Sequence, residues 1–335
     1  MCKGESVSER AEIGYFRRVE KMNQGKIHSA AKYLCGLLLP LIFLLLSPDA
    51  SAAPPDSTSF NPERAWLVGS AGTLIAGGTL IGLNELWYKD QPRTSFHLFD
   101  DLADWKQMDK AGHAMTAYYM GRMGIRAMQW TGTERKKAIW IGGSYGFAYL
   151  TAIEVLDGFS AEWGFSLSDM AANAVGAALV IGQELHWGDQ RMQLKFSVHH
   201  SPYAQYRPNV LGSNGLERLL KDYNGQTYWL SVNGASWFKE KPQWLPVWLN
   251  LAVGYSADGM TGGSSNPAFD GQGNPMPTFD RQRQVYLSFD VDLTRIKTRS
   301  KVLKTCFELV SFVKIPAPAI EFNQNGVVRG YWLYF

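Results

Sequence analysis

Four stretches carry side chains able to move protons or hold a cation: Asp109-Lys110-x-x-His113, Glu154-x-x-Asp157-Gly158, Ser166-x-x-Asp169 and Asn173-x-x-Gly176. Asp109 and His113 stand four apart, so on a helix they share a face, and the carboxylate can orient the imidazole and raise its basicity. Asp169 and Asn173 share a face by the same spacing. If the helices carrying these residues pack together, their ends bring His113, Glu154, Asp157 and Asp169 to one end of a bundle. Two chemistries then follow. In the first, His113 is a general base oriented by Asp109, with Glu154 and Asp169 as acid or ligands. In the second, His113, Glu154, Asp157 and Asp169 hold one divalent metal through mixed N/O ligands.

A structural reading stands beside these. Ser166-x-x-Asp169 is also an N-terminal capping signature, and a carboxylate there favours the helix dipole. Asn173 serves equally as glue between helices, and Lys110, Asn173 and Ser166 then form a structural polar cluster. Asp157-Gly158 is a turn signal. Asp100, Asp101 and Asp104 read as a solvated loop face, and of His199-His200 on a strand only one faces inward. The chain has no His-Glu-x-x-His, phosphate-binding loop or G-x-S-x-G elbow.

The elements that must position these groups are helices rich in small residues. Asn61-Pro62 reads as a helix entry, followed by an uncharged run from Ala65 to Leu83. That run is long enough to span a bilayer, with Trp66 and Trp87 as interface anchors and Gly69, Gly72, Gly77 and Gly78 open to close helix approach. A second helix is expected over about Asp109 to Trp130, with Asp109, His113, Ala117, Gly121, Gly124 and Met128 on one stripe. Arg122 and Arg126 lie off that stripe, so that face is either interfacial or covered by protein. A third helix covers about Ala138 to Val155, with Gly142-x-x-x-Gly146. A fourth covers about Ser168 to Trp187, with Asp169, Asn173, Gly176, Val180 and Gln183 on one stripe. After Gly188 the pattern turns to strands: Gln193–His199, Thr227–Val232, Trp248–Tyr255, Gln284–Asp292 and Tyr331–Phe335. Asn224-Gly225 and Asp258-Gly259 are turn signals, Thr261–Thr278 is a loop, and Ser300–Val313 is an amphipathic helix closed by Pro316 and Pro318. The terminal Tyr-Trp-Leu-Tyr-Phe335 resembles the last strand of an outer-membrane barrel, although the strands are few and irregular. The fold class expected is α+β: a bundle of about four helices over 65–187 and a β-rich region over 188–335.

Composition sets the address. A basic stretch (Lys26, His28, Lys32), an apolar run from Leu37 to Leu46 and Ala50-Ser51-Ala52 form a signal peptide over 1–52, cleaved after Ala52, with 53–64 as linker. Met22 offers an internal start, because 1–21 is long and charged for such a leader; a retained anchor is the alternative. Cleavage leaves Cys306 as the only one of three cysteines, so no internal disulfide can form. A net charge of +3 and the lack of a basic, aromatic-interleaved block argue against nucleic acid, and an exported chain lacks access to nucleotides. The twelve tryptophans suit a membrane interface or an aromatic-rich β structure. The expected partners are a membrane lipid or an envelope protein; the cofactor is none, or one divalent metal.

Taken jointly, Asp109-Lys110-x-Gly112-His113, Glu154-x-x-Asp157-Gly158-Phe159-Ser160, Trp163-Gly164-Phe165-Ser166 and Asp169-x-x-Ala172-Asn173-x-x-Gly176 resemble the YfiM-like domain of unknown function, a group of predicted periplasmic lipoproteins. The same order of residues is more distantly similar to VanZ-like membrane proteins. The resemblance covers about Asp104 to Trp187, and the segment from Lys221 to Trp229 looks like longer members of the group. It implies an envelope location and no particular reaction. No cysteine follows the apolar run of the leader, which departs from the lipoprotein pattern.

Overall fold

In the computed structural model, which describes residues 60–84, 92–270 and 273–335, helices precede strands and the fold is α+β. The leader, its cleavage site, most of the linker and Trp87 lie outside the described residues.

Helix α1 (Pro62–Leu83) begins where Asn61 Oδ1 accepts from Arg64 N, with Pro62 in the first turn. It buries no residue. Tyr145 and Tyr149 donate to the Gly72 carbonyl and to Thr79 Oγ1, and Asn61 N donates to the Thr131 carbonyl. Gly69 and Gly77 face open space, so among the described residues these glycines are not sites of close helix contact.

Helix α2 (Met108–Trp130) is the centre of the bundle and packs on α3 (Arg135–Gly143), α4 (Tyr145–Asp157) and α5 (Leu167–His186). The single helix expected over 138–155 is two: it breaks at Ser144, after two glycines that hold the helical conformation weakly. Glycine brings these helices unusually close. A Cβ on Gly124 would overlap the Gly142 backbone, and one on Gly176 would overlap the Ala114 carbonyl. Arg122 is buried and, with Arg126, pairs with Glu308 at 3.2 and 2.5 Å, so protein covers that face.

Six strands form one antiparallel meander: β1 (Met192–Val198), β2 (Gln226–Asn233), β3 (Leu249–Asp258), β4 (Gln282–Val291), β5 (Ala317–Asn323) and β6 (Val328–Tyr334). The expected amphipathic helix is Lys301–Leu309. Strand β5 was hidden by Pro316 and Pro318, which read as terminators. Pro318 is tolerated because the β5–β6 register slips between Ala317 and Ala319. The sheet curls: Tyr334 on β6 meets Thr227 on β2 at 3.0 Å, and Phe196 on β1 exchanges backbone hydrogen bonds with Phe312 and Lys314.

The curled sheet has inverted polarity. Across the strands, paired residues Lys195, Trp229, Gly254, Tyr286, Glu321 and Arg329 share one row, and all but Arg329 are buried inside. The next row, facing out, is Leu194, Leu230, Val253, Leu287, Ile320 and Gly330. The inner face survives because its charges are paired, as buried charges must be: Lys195 Nζ lies 2.6 Å from Asp290, both fully buried, and Ser231 Oγ and Ile315 N also donate to Asp290.

Three consecutive non-glycine residues ahead of α2, Trp105, Lys106 and Gln107, sit in the left-handed region at φ 47, 54 and 64°. Each costs roughly 1–2 kcal/mol. The turn is held from outside: Trp105 N donates to Gly263 O, Gln107 Nε2 to Leu102 O, Arg283 to Gln107 Oε1 and the Tyr255 hydroxyl to Lys106 O. A Lys106→Gly variant should therefore be more stable than Lys106→Ala, by about 1 kcal/mol in denaturant unfolding. The reverse order, usual within helices, would show that the turn is not left-handed.

Candidate functional site

The first turn of α2 carries Lys110 and its second turn His113, the last turn of α4 carries Glu154, and the first turn of α5 carries Asp169. The close packing of these helices brings the four side chains together. His113 Nε2 lies 3.9 Å from Glu154 Oε1 and 3.9 Å from Asp169 Oδ1. The other ring nitrogen, Nδ1, is 3.1 Å from Asn173 Oδ1, one turn further along α5. With Asn173 Oδ1 toward the ring, Nδ1 donates to it and Nε2 faces both carboxyl groups.

A second group adjoins the first. Lys110 Nζ lies 2.7 Å from Asp101, 2.8 Å from Asp109 and 3.0 Å from Asp169. An ammonium has three protons, and three carboxylates surround this one. Asp101 also accepts from Ser166 Oγ at 2.6 Å and Ser168 Oγ at 2.7 Å. Ser166 in turn caps α5 by accepting from Asp169 N, and donates its own backbone N–H to Glu154 Oε2 at 3.1 Å. The capping reading and the clustered reading of Ser166-x-x-Asp169 therefore hold together: the backbone of Asp169 is capped while its carboxylate faces Lys110 and His113.

Sequence reasoning misplaced two roles. Asp109 pairs with Lys110, and Asn173 rather than Asp109 hydrogen-bonds the imidazole. Asp101, expected on a solvated loop face, is the closest partner of Lys110; the signal available was a buried lysine whose three protons need three acceptors. Asp157 ends α4 near enough to raise the Glu154 pKa, but is outside the groups of ligand atoms that lie within 4.8 Å of one another. Those groups are His113, Glu154 and Asp169, and Asp101, Asp109 and Asp169. His199 follows β1 and packs near Tyr334, away from this cluster.

The electrostatics follow from burial. Glu154 is 2% exposed, and burial, with Asp169 beside it, pushes its carboxyl up to about 8. Burial also raises Asp169 against the pull of His113 and Lys110, and it raises Asp109. Asp101 goes the other way: burial opposes ionisation, but hydrogen bonds from Lys110, Ser166 and Ser168 outweigh it and hold the carboxyl at about 2. Burial alone would lower Lys110, yet its hydrogen bonds to Asp101 and Asp109 raise it above the usual lysine range. Near neutral pH the cluster thus combines a protonated carboxylic acid, an imidazole and a locked ammonium. These are the parts of acid/base chemistry and equally a set of N/O ligands.

Residues 98–182, about a quarter of the chain, match the family described as predicted periplasmic lipoprotein (DUF2279). The match bears out the resemblance to the YfiM-like domain of unknown function and supports an exported, periplasmic or membrane-associated location. It does not extend to VanZ-like proteins. No curated protein and no solved structure matches the chain.

Glu154 ties stability to pH. Its pKa is 4.5 in the unfolded chain and about 8 in the fold, so the folded state holds the extra proton between those values. Its contribution is complete below about 4.5 and is lost as pH rises through about 8. In chelator-treated protein, Glu154→Gln should melt higher than wild type above pH 8 and lose part of the downward slope, while Asp109 and Asp169 keep the remainder. An unchanged calorimetric slope would exclude a buried neutral Glu154.

Proposed function

We propose that this chain is an envelope protein docked on membrane lipid, with two apolar faces that hold the helical bundle and its polar cluster at a bilayer. The observation that carries this reading is the inverted polarity of the sheet. A sheet in water hides its apolar face and wets its polar one. Here Lys195, Asp290 and Glu321 are inside, while Val253, Leu287, Phe289, Ile320 and Phe322 are out. Inversion of this kind suits a hydrocarbon solvent.

Helix α1 supports the same reading. Its 22 residues extend about 33 Å, against roughly 30 Å of bilayer hydrocarbon, and none is buried in the protein. The other apolar stretch of suitable length among the described residues, Arg135–Asp157, is broken at Ser144 and partly buried in the bundle. At ten residues each, β3 and β4 also have the length of membrane strands. Between α2 and the outer sheet face lies an apolar slot of about 390 Å³, lined by Ala111, Ala114, Met115, Leu230, Val253 and Tyr255. Its helical wall is the turn that carries His113.

A second reading, acid/base hydrolysis or transfer on an envelope lipid or cell-wall intermediate, is favoured by the meeting of His113, Glu154 and Asp169. His113→Gln and Glu154→Gln proteins that fold normally yet fail to complement a deletion would favour chemistry. Loss of fold and phenotype together would favour a structural cluster.

Lipid docking is tested with a bimane label at position 253 or 287 in a background with Cys2, Cys35 and Cys306 all changed to Ser, the full chain being reconstituted in vesicles with brominated acyl chains. Both labels should be quenched, and one at the exposed position 297 should not. Leu287→Arg should weaken vesicle binding by about 2–4 kcal/mol. Bright labels at 253 and 287 together with a dimer in solution would make the face a protein interface and end the lipid reading.

A further inference from the structure

We infer that His113, Glu154 and Asp169 bind one divalent transition-metal cation, with Asn173 as the residue that positions the imidazole. The imidazole turns Nε2 toward Glu154 Oε1 and Asp169 Oδ1, each 3.9 Å away. That distance is too long for a hydrogen bond, so nothing joins the ring nitrogen directly to either carboxyl group and an ion can stand between them. Ligand atoms about 2.0–2.2 Å from a shared cation lie roughly 3 Å apart, so the three groups need to close by less than an ångström each to hold one.

Three further observations distinguish this triad from a chance cluster of acids. First, the imidazole is already oriented. Asn173 is fully buried and its Oδ1 takes the Nδ1 proton, the outer-shell bond that metal-binding histidines usually make. Second, Asp169 Oδ1 is buried and makes no hydrogen bond, its contact with Lys110 being an ion pair at 3.0 Å. Third, the neighbouring acidic group already has its cation. Lys110 lies among Asp101, Asp109 and Asp169, whereas among the described residues no lysine or arginine pairs with Glu154. Four carboxyl groups (Asp101, Asp109, Glu154 and Asp169) thus face one ammonium, and a divalent ion would take the place of the proton that Glu154 otherwise holds.

One nitrogen and two carboxylate oxygens suit zinc, manganese or iron better than calcium or magnesium, which favour oxygen alone. The half-exposed His113 leaves coordination positions open to water. This inference does not depend on lipid docking: it concerns helix ends, and its test is done in detergent.

The test uses the full chain, chelator-treated and titrated with Mn²⁺ followed by electron paramagnetic resonance, and with Zn²⁺ by calorimetry. One equivalent should bind and raise the melting temperature of the wild type. Glu154→Gln and Asp169→Asn should each weaken binding at least about tenfold, and Asn173→Ala about 10–100-fold through the imidazole. Because such variants can fail to fold, the wild type with ¹⁵N-histidine supplies a second reading: bound Mn²⁺ should show coupling to a directly ligated nitrogen. Substoichiometric binding, unchanged affinity in His113→Gln, or bound Mn²⁺ without nitrogen coupling would each overturn the assignment.

Discussion

Gly176 has no room for a side chain, because a Cβ there would overlap the Ala114 carbonyl. That contact presses α5 onto α2 one residue from His113 and one helical turn from Asn173, close enough for their side chains to hydrogen-bond at 3.1 Å. Similar contacts, between Gly124 and Gly142 and between Gly146 and Ala117, bring α3 and α4 against α2. Small residues thus do more than pack the bundle: they set the separations on which the polar cluster depends. A larger residue at 176 would move Asp169 and Asn173 together, since both belong to the same rigid helix.

At such short distances the helices can bury acids only if their charges are compensated. Lys110 provides much of the compensation by standing within ion-pair distance of three aspartates. Losing one partner of a buried pair is far more costly than replacing the pair, so Lys110 and its acids form a unit. Glu154 is outside that unit, and its high pKa follows: it is buried with one backbone donor, Ser166 N, and a neighbouring carboxylate. The left-handed turn at 105–107 fits the same scheme, since its backbone cost is offset by tethers from the sheet and the β3–β4 loop, and α2 then starts where Lys110 reaches Asp101.

Much of this was legible in the residues. The α5 stripe Asp169, Asn173, Gly176, Val180 and Gln183 is buried throughout, because a 3.6-residue period survives whatever the helix packs on. The convergence of His113, Glu154 and Asp169 followed from motifs at helix ends. What local pattern could not show were features decided by distant partners. Asp101 looks like any loop aspartate until Lys110, nine residues on, comes to lie beside it. Trp105, Lys106 and Gln107 have no preference for left-handed backbone, and only their external tethers keep them there. Arg122 has no visible reason to be buried until Glu308, 186 residues away, meets it.

The sheet shows the limit most clearly. Alternation identifies a strand but says nothing about which face turns inward. In β4, Gln284, Tyr286, Ser288 and Asp290 alternate with Val285, Leu287 and Phe289, and a soluble sheet would bury the second set. The inner choice is made by partners from elsewhere: Lys195 for Asp290, Tyr331 for Glu321, and Trp229 over Gly254, where a Cβ would overlap the indole. These pairings satisfy the polar face internally and leave the apolar face out. In water, exposing a row that includes Val253, Leu287 and Ile320 forfeits the roughly 25 cal/mol per Å² that burial would return. In hydrocarbon that penalty disappears, so the polar-filled interior and the apolar exterior become one consistent solution.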